Sequence, residues 1–125
     1  MKKGFKTLLA EANAEIDVIS PAEARALLGD GDTLFVDVRE AQERARGYIP
    51  GSIHAPRGFL EFIADPEGPM HNPDFASGKR LVVYCASGGR STLATKTLKD
   101  MGFDRVANLV GGIQAWAQAG GELES

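Results

Sequence analysis

The stretch Val82-Val83-Tyr84-Cys85-Ala86-Ser87-Gly88-Gly89-Arg90-Ser91 decides how this chain is read. A β-branched and aromatic run leads into the only cysteine and then into a glycine-containing turn. Helical spacing comes next, with Leu93, Ala94, Thr97, Leu98 and Met101 on the predicted inner face. A thiol at such a strand–loop–helix junction lies under backbone N–H groups and at the positive end of a helix dipole, and both stabilise an anion. The thiolate rather than the thiol is the nucleophile, so the placement predicts a pKa below the free value of about 8.5.

The flanking elements alternate. Arg80 to Tyr84 reads as the central strand, and Thr33-Leu34-Phe35-Val36-Asp37-Val38 as another strand buried on both faces. Between them the sequence predicts a charged helix over about Glu40 to Arg46, ended by Gly47. A turn and short strand come after it, across Ile49-Pro50-Gly51-Ser52-Ile53-His54-Ala55-Pro56. Phe59 to Ala64 form a helical turn or two, and Asp65-Pro66-Glu67-Gly68-Pro69 with Asn72-Pro73 mark an irregular loop. Earlier, Phe5, Leu8, Leu9, Ala12 and Ile16 have helical spacing, and Asp17-Val18-Ile19 is a short strand. Ser20-Pro21-Ala22-Glu23 then opens a helix: Ser20 as N-cap, Pro21 at the first helical position and Glu23 closing a capping box. After the helix predicted over Ser91 to Met101, Val106 to Leu109 is the last strand, and Gly111-Gly112-Ile113 lead into a helix carrying Trp116. This order predicts an α/β fold with a parallel sheet covered by helices.

Composition limits the rest. With 125 residues, 43% hydrophobic and 25% charged, the chain suffices for one domain with a single core. Met1-Lys2-Lys3-Gly4-Phe5-Lys6 resembles the basic end of a signal peptide, but Glu11 and Glu15 interrupt the stretch where an apolar block would stand, so a cytoplasmic location is expected. A net charge of −3 offers no electrostatic case for nucleic acid or an anionic membrane. One cysteine excludes an internal disulfide and a multi-cysteine metal site. It also leaves no second thiol in the chain to resolve an oxidised or sulfur-loaded Cys85.

Ligands of an open parallel sheet bind outside the carboxyl ends of its strands. The residues predicted at those ends are Asp37 and Arg39, Pro56 and Arg57, Cys85, and Gly111 and Gly112. One cysteine, two arginines and a backbone-rich turn are therefore expected on one edge.

Four motifs, in this order, resemble those of single-domain members of the rhodanese family of sulfurtransferases. Asp37-Val38-Arg39-Glu40 is similar to its D-[VL]-R-[ED] strand end, and Gly47-Tyr48-Ile49-Pro50-Gly51-Ser52-Ile53-His54 to its first signature. Cys85 to Ser91 resembles its active-site loop C-x-x-G-x-R-S, and Gly111-Gly112-Ile113-Gln114-Ala115-Trp116 its G-G-x-x-x-W signature. The resemblance places a motif-bearing core at about 17–119 within one domain over 1–125, preceded by a helical extension at about 5–16. It implies a three-layer, five-stranded, mostly parallel sheet with helices on both faces. It also implies transfer of a sulfane sulfur through a persulfide on Cys85, commonly from thiosulfate to cyanide or a cellular thiol such as thioredoxin or glutathione. Neither a cofactor nor a metal is expected.

Two departures stand out. Tyr48 replaces a histidine common in the first signature, at a position expected to be structural. Pro56 to Pro66 is longer than in the smallest members and begins at the expected active edge, so it bears on substrate choice.

The loop from Cys85 to Arg90 has the spacing C-x₄-R, whereas related phosphatases and arsenate reductases use C-x₅-R, which widens the cradle for a tetrahedral oxyanion. The shorter loop suits one added sulfur, stabilised by the amides of Ala86, Ser87, Gly88, Gly89, Arg90 and Ser91. Arg57 and Arg90 are the substrate-anion candidates, although rhodaneses often turn the loop arginine toward a carboxylate. Asp37 is expected to be buried and to hold loop amides, with Arg39 paired to a carboxylate and Glu40 in support. His54 is expected at a strand end in a structural role. A phosphatase or arsenate reductase and a non-catalytic binding module remain the alternatives to a sulfurtransferase.

Overall fold

A computed structural model describes Met1–Ser125. Its five-stranded sheet has the order β1-β5-β4-β2-β3, formed by Asp17–Ile19 (β1), Thr33–Asp37 (β2), Ile53–His54 (β3), Arg80–Tyr84 (β4) and Val106–Leu109 (β5). Every pairing in the sheet is parallel, with Phe35 beside Val82 and Val83 beside Asn108. The helices are Phe5–Asn13 (α1), Pro21–Ala26 (α2), Ala41–Arg44 (α3), Leu60–Ala64 (α4), Gly89–Asp100 (α5) and Gly112–Gln118 (α6). None of them is long and apolar enough to cross a membrane.

Side-chain alternation along the buried strands makes two cores. On one face Leu34, Val36, Leu81, Val83 and Cys85 pack against Leu60 of α4 and Ala94 and Leu98 of α5. On the other, Phe35, Val82, Tyr84 and Leu109 pack against Ala24 of α2 and Trp116 of α6. The expected capping box forms in full: Glu23 N donates to Ser20 Oγ at 3.1 Å and Ser20 N to Glu23 Oε1 at 3.1 Å.

The chain departs from its periodicity where a helix lies outside the sheet. α1 stops at Asn13, before Ile16, and buries only Ala12. It packs on α5 at the edge of the fold, so Phe5 and Leu8 stay exposed. α3 is a single turn, shorter than predicted, and the chain turns at Gly47, whose N–H reaches Arg44 O. α5 begins at Gly89 rather than Ser91, because Gly88 caps it in the left-handed conformation. Its buried face carries Ser91, Thr92 and Thr95 along with Ala94 and Leu98, and Met101 lies outside. The two threonine hydroxyls can enter this interior because each returns its proton to a backbone carbonyl four residues back, as Thr95 Oγ1 does to Ser91 O at 2.7 Å.

Trp116 is fully buried, meets Phe35 edge-on at 5.6 Å between ring centres and donates its Nε1–H to Glu122 O at 2.8 Å. Trp116→Ala is expected to lower stability by about 3–5 kcal/mol, a loss readable in urea unfolding.

Candidate active site

Cys85 comes directly after the last residue of β4, and its side chain points to the α4–α5 face. Three donors surround its sulfur: Gly88 N at 3.1 Å, Ser91 N at 3.4 Å and Ser91 Oγ at 3.4 Å. Burial alone would push this thiol up, since the residue is 1% exposed. The Ser91 hydroxyl and the amides of Ser91, Gly88 and Ser87 more than offset it, and the net shift is downward.

The Ser87 amide can face inward because the carbonyl across its peptide bond, that of Ala86, is held elsewhere, as is that of Cys85 before it. Ile113 N donates to Cys85 O at 2.9 Å and Gln114 N to Ala86 O at 3.1 Å, so the first turn of α6 grips the loop from behind. This approach requires glycine. At Gly112, with φ +61°, a Cβ would lie 2.5 Å from Ala86 O and 2.6 Å from Cys85 O.

Asp37, fully buried at the end of β2, works on the opposite face. Its Oδ1 accepts from Arg39 N at 2.9 Å and Arg39 Nε at 3.0 Å. Its Oδ2 accepts from Arg39 Nη2 at 2.8 Å, Arg44 Nη1 at 3.2 Å and Tyr84 Oη at 3.0 Å. Burial raises the Asp37 carboxyl, but the Arg39 contacts lead the interactions that bring it below its ordinary value. Burial, with Asp37 nearby, pushes the Tyr84 phenol up to about 12. The expectation that Asp37 holds loop amides is therefore corrected: the one amide it holds is that of Arg39, and guanidinium groups and the Tyr84 hydroxyl occupy the rest of the carboxylate.

The link to the cysteine loop runs through Glu43. Arg90 Nη1 and Nη2 donate to Glu43 Oε1 and Oε2 at 2.7 and 2.8 Å, a bidentate pair that lowers the Glu43 carboxyl to about 2 and raises Arg90. Arg39 Nη1 reaches Glu43 O at 3.4 Å, tying α3 to the Asp37 network. Glu40, the expected support, is exposed at the N-cap of α3 and donates its own N–H to Glu43 Oε1 at 3.0 Å. The carboxylate three residues later meets the loop because it lies one helical turn further on.

A family model, the rhodanese-like domain, matches residues 20–119. The chain belongs to the rhodanese-like domain family. A sulfurtransferase of Allochromatium vinosum is 36% identical over 106 residues, covering 85% of this chain and 90% of that protein. A tRNA uridine(34) hydroxylase of Agrobacterium fabrum is 33% identical over 108 residues, covering 86% of this chain but 33% of that protein. The chain thus spans about a third of the length of the hydroxylase it matches. Among solved structures, a Rhodopseudomonas palustris protein of unknown function, described as a possible tyrosine phosphatase, is 46% identical with a TM-score of 0.95, covering 99% of this chain and 96% of that one. Thiosulfate sulfurtransferase of Pseudomonas aeruginosa superposes with a TM-score of 0.73 at 25% identity, over 89% of this chain and 20% of that one.

Other residues of this rhodanese-like domain take supporting places. Arg57 is not brought to the sulfur; it donates to Glu61 Oε1 and to Thr97 Oγ1, each at 3.1 Å. Thr97 lies six residues beyond Ser91 on α5, about 9 Å along the helix. His54 donates Nε2–H to Arg39 O at 2.7 Å, and Tyr48 lies under the Arg44 guanidinium at 4.2 Å, both structural contacts. Arg44, Ser52 and Tyr84 escaped sequence reasoning. Their convergence needs Tyr84 Oη within 3.0 Å of Ser52 Oγ and Arg44 Nη1 within 2.9 Å of the same atom, across 32 and 8 residues of chain.

Alkylation of Cys85 by iodoacetamide should rise with pH through an inflection below about 8.5, and Ser91→Ala should move that inflection upward. Asp37→Asn leaves two guanidinium groups short of a buried counter-charge and should cost about 3–5 kcal/mol at neutral pH. A depressed carboxyl stabilises the fold above its unfolded pKa and stops doing so as pH falls through its folded value. The gap between wild type and Asp37→Asn in denaturant titrations should therefore narrow below about pH 4.

Proposed function

We propose that this rhodanese-like domain is a sulfurtransferase that carries a sulfane sulfur as a persulfide on Cys85. The supporting observation is the cradle itself: a buried sulfur facing two amides and a hydroxyl, with its pKa drawn down. A thiolate formed this way needs no general base to attack. With thiosulfate as donor, Cys85 Sγ attacks the terminal sulfur, a new S–S bond forms, and the old one breaks with its electron pair leaving on sulfite. The charge moves one atom outward, to the terminal sulfur of the persulfide. An external thiolate, such as that of thioredoxin or glutathione, then takes that sulfur and returns Cys85 as thiolate. The acceptor is external because the chain holds one cysteine. Such chemistry suits a thiol-reducing compartment such as the cytoplasm.

Hydrolysis of phosphate esters is the second reading, favoured by the Rhodopseudomonas palustris neighbour described as a possible tyrosine phosphatase. Two observations weigh against it here. The loop has four residues between Cys85 and Arg90, and both Arg90 Nη atoms are committed to Glu43 rather than open to an oxyanion. RNA is also a poor fit as the domain's own substrate, since the net charge is −3.

Mass spectrometry after thiosulfate treatment separates these readings. Wild type should gain one dithiothreitol-labile sulfur, and Cys85→Ser none. Hydrolysis of p-nitrophenyl phosphate should not exceed the Cys85→Ser background. No adduct from thiosulfate or from a low-molecular-weight persulfide, together with turnover of the aryl phosphate, would establish the phosphatase reading instead.

A further inference from the structure

Gly88 contributes the shortest contact to the sulfur, yet glycine is the residue least able to hold its own conformation. Its φ of +110° and ψ of −14° must be imposed from outside. The structure shows what imposes them. Gly88 O accepts from Thr92 Oγ1 at 2.7 Å and Thr92 N at 3.0 Å, while the Ser91 hydroxyl keeps its one hydrogen for the sulfur. Behind Thr92 stands Asn108 of β5, whose Nδ2 donates to Thr92 Oγ1 at 3.0 Å. Thr92 and Asn108 are each 4% exposed, so water does not compete for these bonds.

The direction of the chain of bonds comes from proton counting. The Thr92 hydroxyl has one hydrogen, committed to Gly88 O at the shorter distance, so Thr92 Oγ1 is left to accept. Only the amide nitrogen of Asn108 can satisfy it, which fixes the orientation of that side chain. Asn108 Oδ1 is then buried with no protein partner. An apolar side chain at this place beneath α5 would avoid an orphaned acceptor. An asparagine is explained here by its donor.

We propose that Asn108 and Thr92 form a buried hydrogen-bond relay that clamps the Gly88 carbonyl and so aims the Gly88 N–H at Cys85 Sγ. They are positioning residues: neither touches the sulfur, and both act through the loop. The relay deepens the sulfurtransferase reading, on which it rests, by naming what organises its anion cradle from the sheet side. The cation nearest the sulfur, Arg90, is held by Glu43 on α3 and takes no part in the relay.

The test is the pH profile of Cys85 alkylation by iodoacetamide, which needs no sulfur donor and so can fail independently of sulfur transfer. Thr92→Val keeps shape and removes the hydroxyl, Thr92→Ser keeps the hydroxyl, and Asn108→Leu removes the donor. In Thr92→Val and Asn108→Leu the inflection should move up by about half to one pH unit, so that the rate at pH values below the wild-type inflection falls about threefold to tenfold while the alkaline limiting rate stays at the wild-type value. Thr92→Ser should match wild type. A folded Thr92→Val with the wild-type profile overturns the proposal, and so does equal impairment in Thr92→Ser. Should Thr92→Val fail to fold, Asn108→Leu decides from the other end of the relay, and a wild-type profile there overturns it as well.

Discussion

The site rests on the grip of α6 on the cysteine loop. A peptide bond carries its N–H and C=O on opposite sides, so a loop cannot turn its amides toward a sulfur unless its carbonyls find partners facing away. Cys85 O and Ala86 O find them in the amides of Ile113 and Gln114, which a helix's first turn leaves unpaired. Each partner meets the other's deficit. The contact is close enough to require glycine at position 112, so one side chain there would separate helix from loop.

Two hydrogen-bonded systems keep the loop in place from opposite faces of the sheet. On one face the Asp37 carboxylate gathers Arg39, Arg44 and Tyr84, and Arg39 carries that order to α3, whose Glu43 takes Arg90. An arginine in the first turn of a helix opposes the dipole, and the bidentate carboxylate compensates. On the other face Asn108 and Thr92 meet Gly88. The sulfur lies between, bonded by amides and a hydroxyl and within the field of the Arg90 cation that Glu43 has engaged. A cradle of this kind stabilises one negative atom more naturally than a tetrahedral oxyanion.

Much of this was legible beforehand. The capping box at Ser20, the strands through Phe35 and Val83, the loop after Cys85 and the helix that carries Trp116 all come from local rules. Those rules concern neighbours in sequence: a cap and its third residue, alternation along a strand, a glycine at a turn. The errors lie where distance in sequence is large. Glu40 drew attention through its motif, but the turn of α3 delivers Glu43 to Arg90 across 47 residues. Met101 fits the helical stripe yet lies outside, because α5 ends at Asp100 and Met101 is its exposed C-cap. Thr92 and Thr95, outside the apolar stripe, are interior, their hydroxyls returned to backbone carbonyls four residues back.

By itself the sequence determined that a single cysteine stands between a buried strand and a helix in a parallel α/β domain, because strand period, glycine turns and caps act over a few residues. Only the tertiary structure decided which groups face that cysteine and which hold them there. Hydrogen bonds reach about 3 Å, and whether Asn108 lies that close to Thr92, or Ile113 to Cys85, depends on how sheet and helices pack.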